Sequence, residues 1–476
     1  MAQSFVRDQM LPAAPPPASQ RGALGWLREN LFSGPLNTAL TVLGLGFVVW
    51  IASMALPWWM NSVWNATSLG ECRAIVAAQG AESGACWAVI KARWHQYIFG
   101  FYPPDLYWRP LLAFGLLLSA LAPVLYYRLR AGAVLIAAAG ALTVLSVLAL
   151  EGAGPHVVVL LAVFVALLAV AWTRPAQLLW LTLLYPFIGF WLLWGGPIAR
   201  PVATLLGFGL LVLVYRLLAP RLGVVLATAA GAIAAALWWL LVQGLVSGPL
   251  AQLLPLALSP VNSDRFGGFL LAILIGVTAI AMSLPMGILL ALGRRSDMLL
   301  IKVLSVGFIE FIRGVPLITL LFTASLLLQY FLPPQTNFDL ILRVIILVTL
   351  FAAAYLAEVI RGGLAALPRG QYEAADSLGL DYWQAQRLIV MPQALKISIP
   401  GIVSTFIGLF KDTTLVSFVG LLDPLRGVTM VVRADINWKG IYWEPYIFVG
   451  VIFFIICFGM SRYSMYLERK LKTDHR

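Results

Sequence analysis

The sequence predicts an all-α integral membrane protein of about twelve transmembrane helices, and two observations predict it. The chain is 61% apolar and 11% charged, with a mean hydropathy of +0.91, far beyond what a soluble core absorbs. Apolar runs of roughly twenty residues, each long enough to cross the ~30 Å hydrocarbon layer, also recur along its whole length. They lie near 37–57, 110–127, 132–150, 156–173, 177–195, 202–218, 223–243, 266–292, 299–332, 341–362, 396–421 and 445–466.

Charge orients these spans, because short loops rich in Lys and Arg are retained on the cytoplasmic side. An even number of spans puts both termini on one side. Placing them in the cytoplasm leaves roughly twenty basic residues inside and roughly ten outside, with Arg313 and Lys411 at membrane depth. The same choice puts Arg294-Arg295 and the tail Glu468-Arg-Lys-Leu-Lys472 in the cytoplasm. The formal charge of +12 then needs no nucleic acid partner, since no basic stretch is interleaved with exposed aromatics and positive-inside retention supplies much of the excess. The partner that composition does demand is the lipid bilayer.

Residues 1–35 carry the run Leu11-Pro-Ala-Ala-Pro-Pro-Pro17 and lack the zones of a cleavable signal peptide. They read as a disordered cytoplasmic tail. A Pro-rich ligand is the alternative, but no clean P-x-x-P stands among basic residues. The longest polar segment, 58–109, follows the first span and is predicted outside. It holds Cys72 and Cys86, which either pair in an oxidising compartment or remain two buried thiols. A metal site is disfavoured, because His95 is the only nearby imidazole and the spacing fits no zinc pattern. Cys457, inside the last span, reads as a small packing residue.

The chain divides near residue 250. Residues 36–250 hold seven spans poor in charge, with no chemistry that their residues name. Glu151 and His156 flank a short turn as loop residues rather than a proton relay, and Trp58-Trp59 and Trp238-Trp239 read as interfacial anchors. Residues 251–476 differ, because a polar, small-residue cassette interrupts them: Glu373-Ala-Ala-Asp-Ser-Leu-Gly379, then Ile389-Val-Met-Pro392. Ala374, Ala375 and Gly379 leave one side of a short helix without bulk, and Gly379 permits a turn. Asp381 and Gln384 have capping-box spacing for a second short helix, which Pro392 is expected to close. The alternative is an ordinary amphipathic helix lying on the membrane.

Pro368-Arg-Gly-Gln-Tyr-Glu-Ala-Ala-Asp-Ser-Leu-Gly-Leu-Asp-Tyr-Trp-Gln384, continuing through Val390-Met-Pro-Gln-Ala-Leu395 to Lys411-Asp-Thr-Thr-Leu415, resembles the membrane subunits of ABC importers for polar amino acids. The resemblance covers roughly 266–466, including Leu284-Pro-Met-Gly287 and Glu310-Phe-Ile-Arg-Gly-Val-Pro-Leu317. It implies a five-helix ABC importer permease core over 251–476 with a cytoplasmic coupling helix. Glu373, Ala374, Ala375, Asp376, Gly379 and Pro392 would then be the ATPase-coupling residues. The extra N-terminal spans resemble the longer of two permease subunits in general L-amino-acid importers. The implied partners are a cytoplasmic ABC ATPase dimer, a second homologous permease subunit and a periplasmic amino-acid-binding protein, in a bacterial inner membrane.

Within the core, polar groups near membrane depth mark a pathway, a pairing or a gate. Glu310 and Arg313, and Glu358 and Arg361, share the pattern Glu-x-x-Arg-Gly, which can place each pair on one helix face. Glu358 and Arg361 read as a structural ion pair. Glu310 and Arg313 read equally as a pair or as pathway residues, since Pro316 can break the helix and free backbone amides for a substrate carboxylate. Lys411, Asp412, Thr413, Thr414 and Ser417 place two charges and three hydroxyls in an apolar span. Lys411 and Asp412 would suit an α-amino acid only if both faced the cavity, yet neighbours on a helix point about 100° apart.

The chain contains no Gly-Lys dipeptide, hence no phosphate loop of the form G-x-x-x-x-G-K-[ST]. It is therefore expected not to be an enzyme and to hold no cofactor, with ATP and Mg on the partner ATPase. A gradient-driven secondary transporter is the alternative, but the cassette occurs once and the two halves differ in charge, against the internal symmetry expected there. A membrane enzyme would need convergent acids, histidines or a metal at one interface, and only His95 and scattered carboxylates are available.

Overall fold

The structure, a computed structural model, describes residues 22–126, 129–331 and 339–471. The run Leu11–Pro17 lies outside them, but Gly22–Asn30 forms a helix (α1), so the tail expected over 1–35 is ordered at its end. Among the described residues, eleven helices are long and apolar enough to cross a membrane. Seven precede residue 254, near the expected positions, with Leu226–Leu253 running well past its expected end at 243. The run 299–332, expected as one span, is instead two helices, α12 (Leu299–Gly314) and α13 (Leu317–Phe331), bent by 101°. Pro316 sits at the bend, where it can neither donate a backbone bond nor let Val315 stay helical.

The chain forms two compact units, residues 1–92 with 436–444, and residues 93–435 with 445–476. The first contains α1, α2 (Pro35–Met60) and α3 (Leu69–Ala78). α2 carries no buried residue. Beyond it Cys72 is joined to Cys86, with Cα atoms 6.0 Å apart. Strand-like bonds from Val63 N–H to Ala85 O (2.7 Å) and from Ala85 N–H to Trp58 O (2.8 Å) hold the loop, and Trp87 packs among Trp58, Trp59 and Trp64. Glu444, almost fully buried, accepts the Cys86 N–H at 2.6 Å. A disulfide across a separation of 14 residues removes about 3 kcal/mol of unfolded-state freedom in the chain-entropy account. Exchanging both cysteines for serine is therefore expected to speed proteolysis within residues 61–87 by about tenfold or more. Equal cleavage rates for the two proteins would exclude a stabilising role.

The second unit begins within α4 (Ala88–Phe99) and continues with α5 (Trp108–Leu125), α6 (Leu129–Glu151), α7 (Pro155–Thr173) and α8 (Leu178–Trp194). α9 (Ala199–Leu237) is kinked at Gly223 and continues through a π turn into α10 (Gln243–Leu253). The indole N–H groups of Trp238 and Trp239 donate to the α9 carbonyls of Ala203 (2.8 Å) and Thr204 (3.1 Å). Glu151 accepts the Trp108 N–H at 3.0 Å, which caps α5, and lies 3.4 Å from His156. A two-stranded antiparallel ribbon, Gly196–Pro197 with Ala257–Leu258, closes the segment between α8 and α11.

The remaining helices are α11 (Gly268–Arg294), α14 (Leu340–Ala365), α17 (Met391–Asp412), α18 (Pro424–Ala434) and α19 (Trp443–Leu471). α14 packs along both α11 and α17. Lipid tails supply no hydrophobic drive between helices, so close approach decides such packing. Gly363 permits it, since a Cβ there would lie 2.1 Å from Ser398 Oγ and 2.5 Å from Ala394 O. Packing does not divide at residue 250: one core joins Tyr102, Leu116 and Leu192 to Leu271, Val344 and Leu421. Polar ties reinforce it, because buried Arg109 donates to Ser259 O (2.7 Å) and Oγ (2.6 Å).

Candidate functional site

The cassette forms α15 (Gly370–Ser377) and α16 (Tyr382–Ala385), joined by a left-handed turn. Gly379 adopts φ +68°, and the bonds Gly379 N–H to Asp376 O (2.9 Å) and Leu380 N–H to Ala375 O (3.2 Å) close the turn in a Schellman pattern. Asp381 then caps α16 in a full capping box with Gln384. Ala375 is buried against the body, while Glu373, Ala374, Asp376 and Gly379 are exposed. Beside them Leu378, Tyr382 and Trp383 expose 72%, 53% and 65% of their surface as an apolar tip.

Two ties fix this tip to the helices behind it. Arg295, just past α11, donates to Tyr372 Oη at 3.0 Å and lies 5.5 Å from the centre of that ring. Gln393 on α17 donates to Gln371 Oε1 at 2.9 Å. A cavity of about 390 Å³ opens here, lined by Arg295, Arg369, Tyr372, Glu373 and Asp376. Pro392 does not close the second helix. The chain runs from α16 through a π turn, Gln386–Val390, straight into α17, with Met391 N–H bonded back to Gln386 O. The wider turn takes in a proline near the start of α17, where its missing N–H is tolerated.

At the same end, five charged side chains meet. Glu358 accepts Arg361 through Nε (3.2 Å to both oxygens) and Nη2 (3.0 Å), so their expected pairing is present. It also accepts Arg294 Nη1 at 2.6 Å and lies 3.6 Å from Arg313 Nη1. Glu310 does not meet Arg313. It accepts Arg294 Nη1 at 2.9 Å, while Arg313 lies 5.6 Å from the centre of the Tyr355 ring. The physical reason is tertiary, since Arg294 at the end of α11 can satisfy carboxylates on α12 and α14 together. Arg294 thus holds both carboxylates and its neighbour Arg295 holds Tyr372, whereas in the sequence the two bear only on orientation. Twin arginines ending an apolar helix were the available signal.

The segment expected inside one apolar span changes character at Thr413, where α17 gives way to a 3₁₀ helix, Thr413–Val419. The three hydroxyls face their own turn: Thr413 donates to Phe410 O, Thr414 to Lys411 O and Ser417 to Thr414 O, at 2.7, 2.9 and 2.9 Å. Lys411 is exposed and Asp412 half-buried, and no ion pair joins them among the described residues. The two charges therefore point to different surroundings.

Residues 283–473 match the family described as binding-protein-dependent transport system inner membrane component. The glutamate/glutamine/aspartate/asparagine transport system permease protein BztC of Rhodobacter capsulatus is 63% identical over 475 residues, covering 99% of each chain. The chain belongs to this family of inner membrane components. The inner membrane amino-acid ABC transporter permease protein YhdY of Escherichia coli is 35% identical over 98% of each chain. A solved amino acid ABC transporter with histidines is 30% identical over 42% of this chain and 90% of its own, with a TM-score of 0.38. Membership makes this a multi-pass inner-membrane permease subunit of the ABC importer kind and sets aside the gradient-driven carrier. Full-length similarity to BztC and YhdY also shows that the N-terminal spans are shared with other inner membrane components.

Proposed function

We propose that this chain is the longer permease subunit of an ATP-driven importer carrying acidic amino acids and their amides from periplasm to cytoplasm. The observation that carries the reading is the 63% identity, over essentially the whole length, to a permease named for glutamate, glutamine, aspartate and asparagine. Both termini lie in the cytoplasm, as the distribution of Lys and Arg supports. The cassette then faces a separate ATPase dimer, and its apolar tip of Leu378, Tyr382 and Trp383 seats in the ATPase cleft. ATP and Mg belong to that dimer. Arg295 and Gln393 pass its movement to α11 and α17, and the network around Glu358 carries it to α12 and α14. A second, shorter permease completes the pathway, and a periplasmic binding protein delivers the substrate. Of Lys411 and Asp412, one faces the pathway while the other turns to a neighbouring helix.

The test is purification from the native membrane followed by reconstitution with the proteins that remain bound. ATP-dependent uptake of labelled glutamate and glutamine is expected. Uptake that follows a proton or sodium gradient without ATP would overturn the importer, and turnover without translocation would point to an enzyme.

A further inference from the structure

A second cavity, of about 320 Å³, lies at the opposite end of the core from the cassette. It sits beside the first residues of α11 and α14 and the turn that follows the 3₁₀ helix after α17, while the other ends of α11 and α14, and the start of α17, meet the coupling helix. Its volume falls within the range of small-molecule sites, about 300–1,000 Å³. Phe101, Leu340, Leu421 and Met430 supply apolar wall, and Arg426 and Asp264 supply one positive and one negative group.

Both charged walls are held in place. Arg426 Nη1 donates to Ser417 O and Leu421 O, each at 3.3 Å. Its helix, α18, is capped by fully buried Asp423, which accepts the Leu425 and Arg426 N–H groups at 3.0 Å. Burial pushes the Asp423 carboxyl up to about 6 against the pull of those bonds. Asp264 rides on the turn Ser263–Arg265, which is pinned from two sides: Ser263 Oγ accepts the Trp194 indole N–H at 2.9 Å and donates to the Asp339 carboxylate. Phe101 N–H donates to Arg265 O at 3.1 Å. The N-terminal spans thereby help build one wall.

We infer that this cavity is an outer receiving site for the zwitterionic end of a free amino acid, Arg426 taking the α-carboxylate and Asp264 the α-ammonium. This rests on the importer reading above. Among the described residues the lining offers no second cation for a side-chain carboxylate, so the site reads what all amino acids share and leaves choice of side chain to other parts of the importer. A guanidinium held by backbone carbonyls is pre-organised for a carboxylate.

The experiment is ATP-driven uptake by the complete reconstituted complex, comparing unaltered protein with Arg426→Gln, Arg426→Lys and Asp264→Asn. Asp264 is exposed, so its variant folds even if loss of Arg426 loosens the turn. Each neutral variant is expected to raise KM about tenfold, the loss of roughly one charge-assisted bond. The rise should be the same within about threefold for glutamate and glutamine, and Arg426→Lys, which keeps the charge but not the planar fork, should recover only part of it. Unchanged KM in both neutral variants overturns the site, and so does a rise confined to glutamate. The cavity would then hold a lipid headgroup of the same zwitterionic chemistry, or nothing. If the unaltered complex moves no amino acid, the importer reading falls and takes this site with it; if it transports and the variants match it, the site alone falls.

Discussion

Replacing Gly379 with valine is expected to lower ATP-driven uptake about a hundredfold, the loss that follows when a working part is misplaced by about 1 Å, while ATP hydrolysis continues and the membrane helices stay folded. Two effects act at this position. Gly379 holds φ +68°, where an L-residue is disfavoured by about 1–2 kcal/mol and a β-branched one by more. Relaxing that strain opens the two turn bonds and swings the capping box of Asp381 away from α15. A Cβ at Gly379 also meets nothing within 4 Å, so a side chain there extends into the open face that the proposed ATPase docking would use. Gly379→Asn separates the effects, because asparagine tolerates the left-handed region yet still adds bulk. Uptake and hydrolysis measured together decide: full coupling in Gly379→Val would mean that this turn is not the docking face.

What the sequence revealed follows the range of the interactions involved. The turn at Gly379 and the capping box at Asp381 and Gln384 depend on residues within a few positions, and both are present as expected. Membrane spans were legible because length and apolarity alone define them. Pro316 announced a break, but its size, 101°, is not set by a proline rule. The partner of Glu310 was not legible: the local rule offered Arg313 three residues on, whereas the structure supplies Arg294, sixteen residues back. Pro392 misled for a similar reason, since the proline rule assumes a regular helix and the π turn before it is not one. The division near 250 followed charge content, while packing ignores it, because Arg109, Trp194 and Tyr102 tie the early spans into the core.

Glu358→Ala is expected to destabilise the purified subunit by about 2–3 kcal/mol, somewhat below the 3–5 kcal/mol of a fully buried broken pair because its neighbours are partly exposed. The carboxylate itself is 16% exposed and serves three arginines, from α11, α12 and its own helix. Removing it leaves those three facing Glu310 alone, and like charges drive apart the ends of α11, α12 and α14. Glu310 is 55% exposed and accepts one bond, so Glu310→Ala should lose less than about 1 kcal/mol. Glu358→Gln keeps an acceptor but no charge and should fall between them. The ranking is the measurement, read from denaturation in detergent, and equal losses for Glu358→Ala and Glu310→Ala would show that no shared network exists. If the network carries ATPase movement, Glu358→Ala must also reduce uptake more than it reduces hydrolysis, because Arg294 and Arg295 are adjacent. Arg294 holds the network and Arg295 holds Tyr372 of α15, so releasing Arg294 is expected to loosen the joint between them.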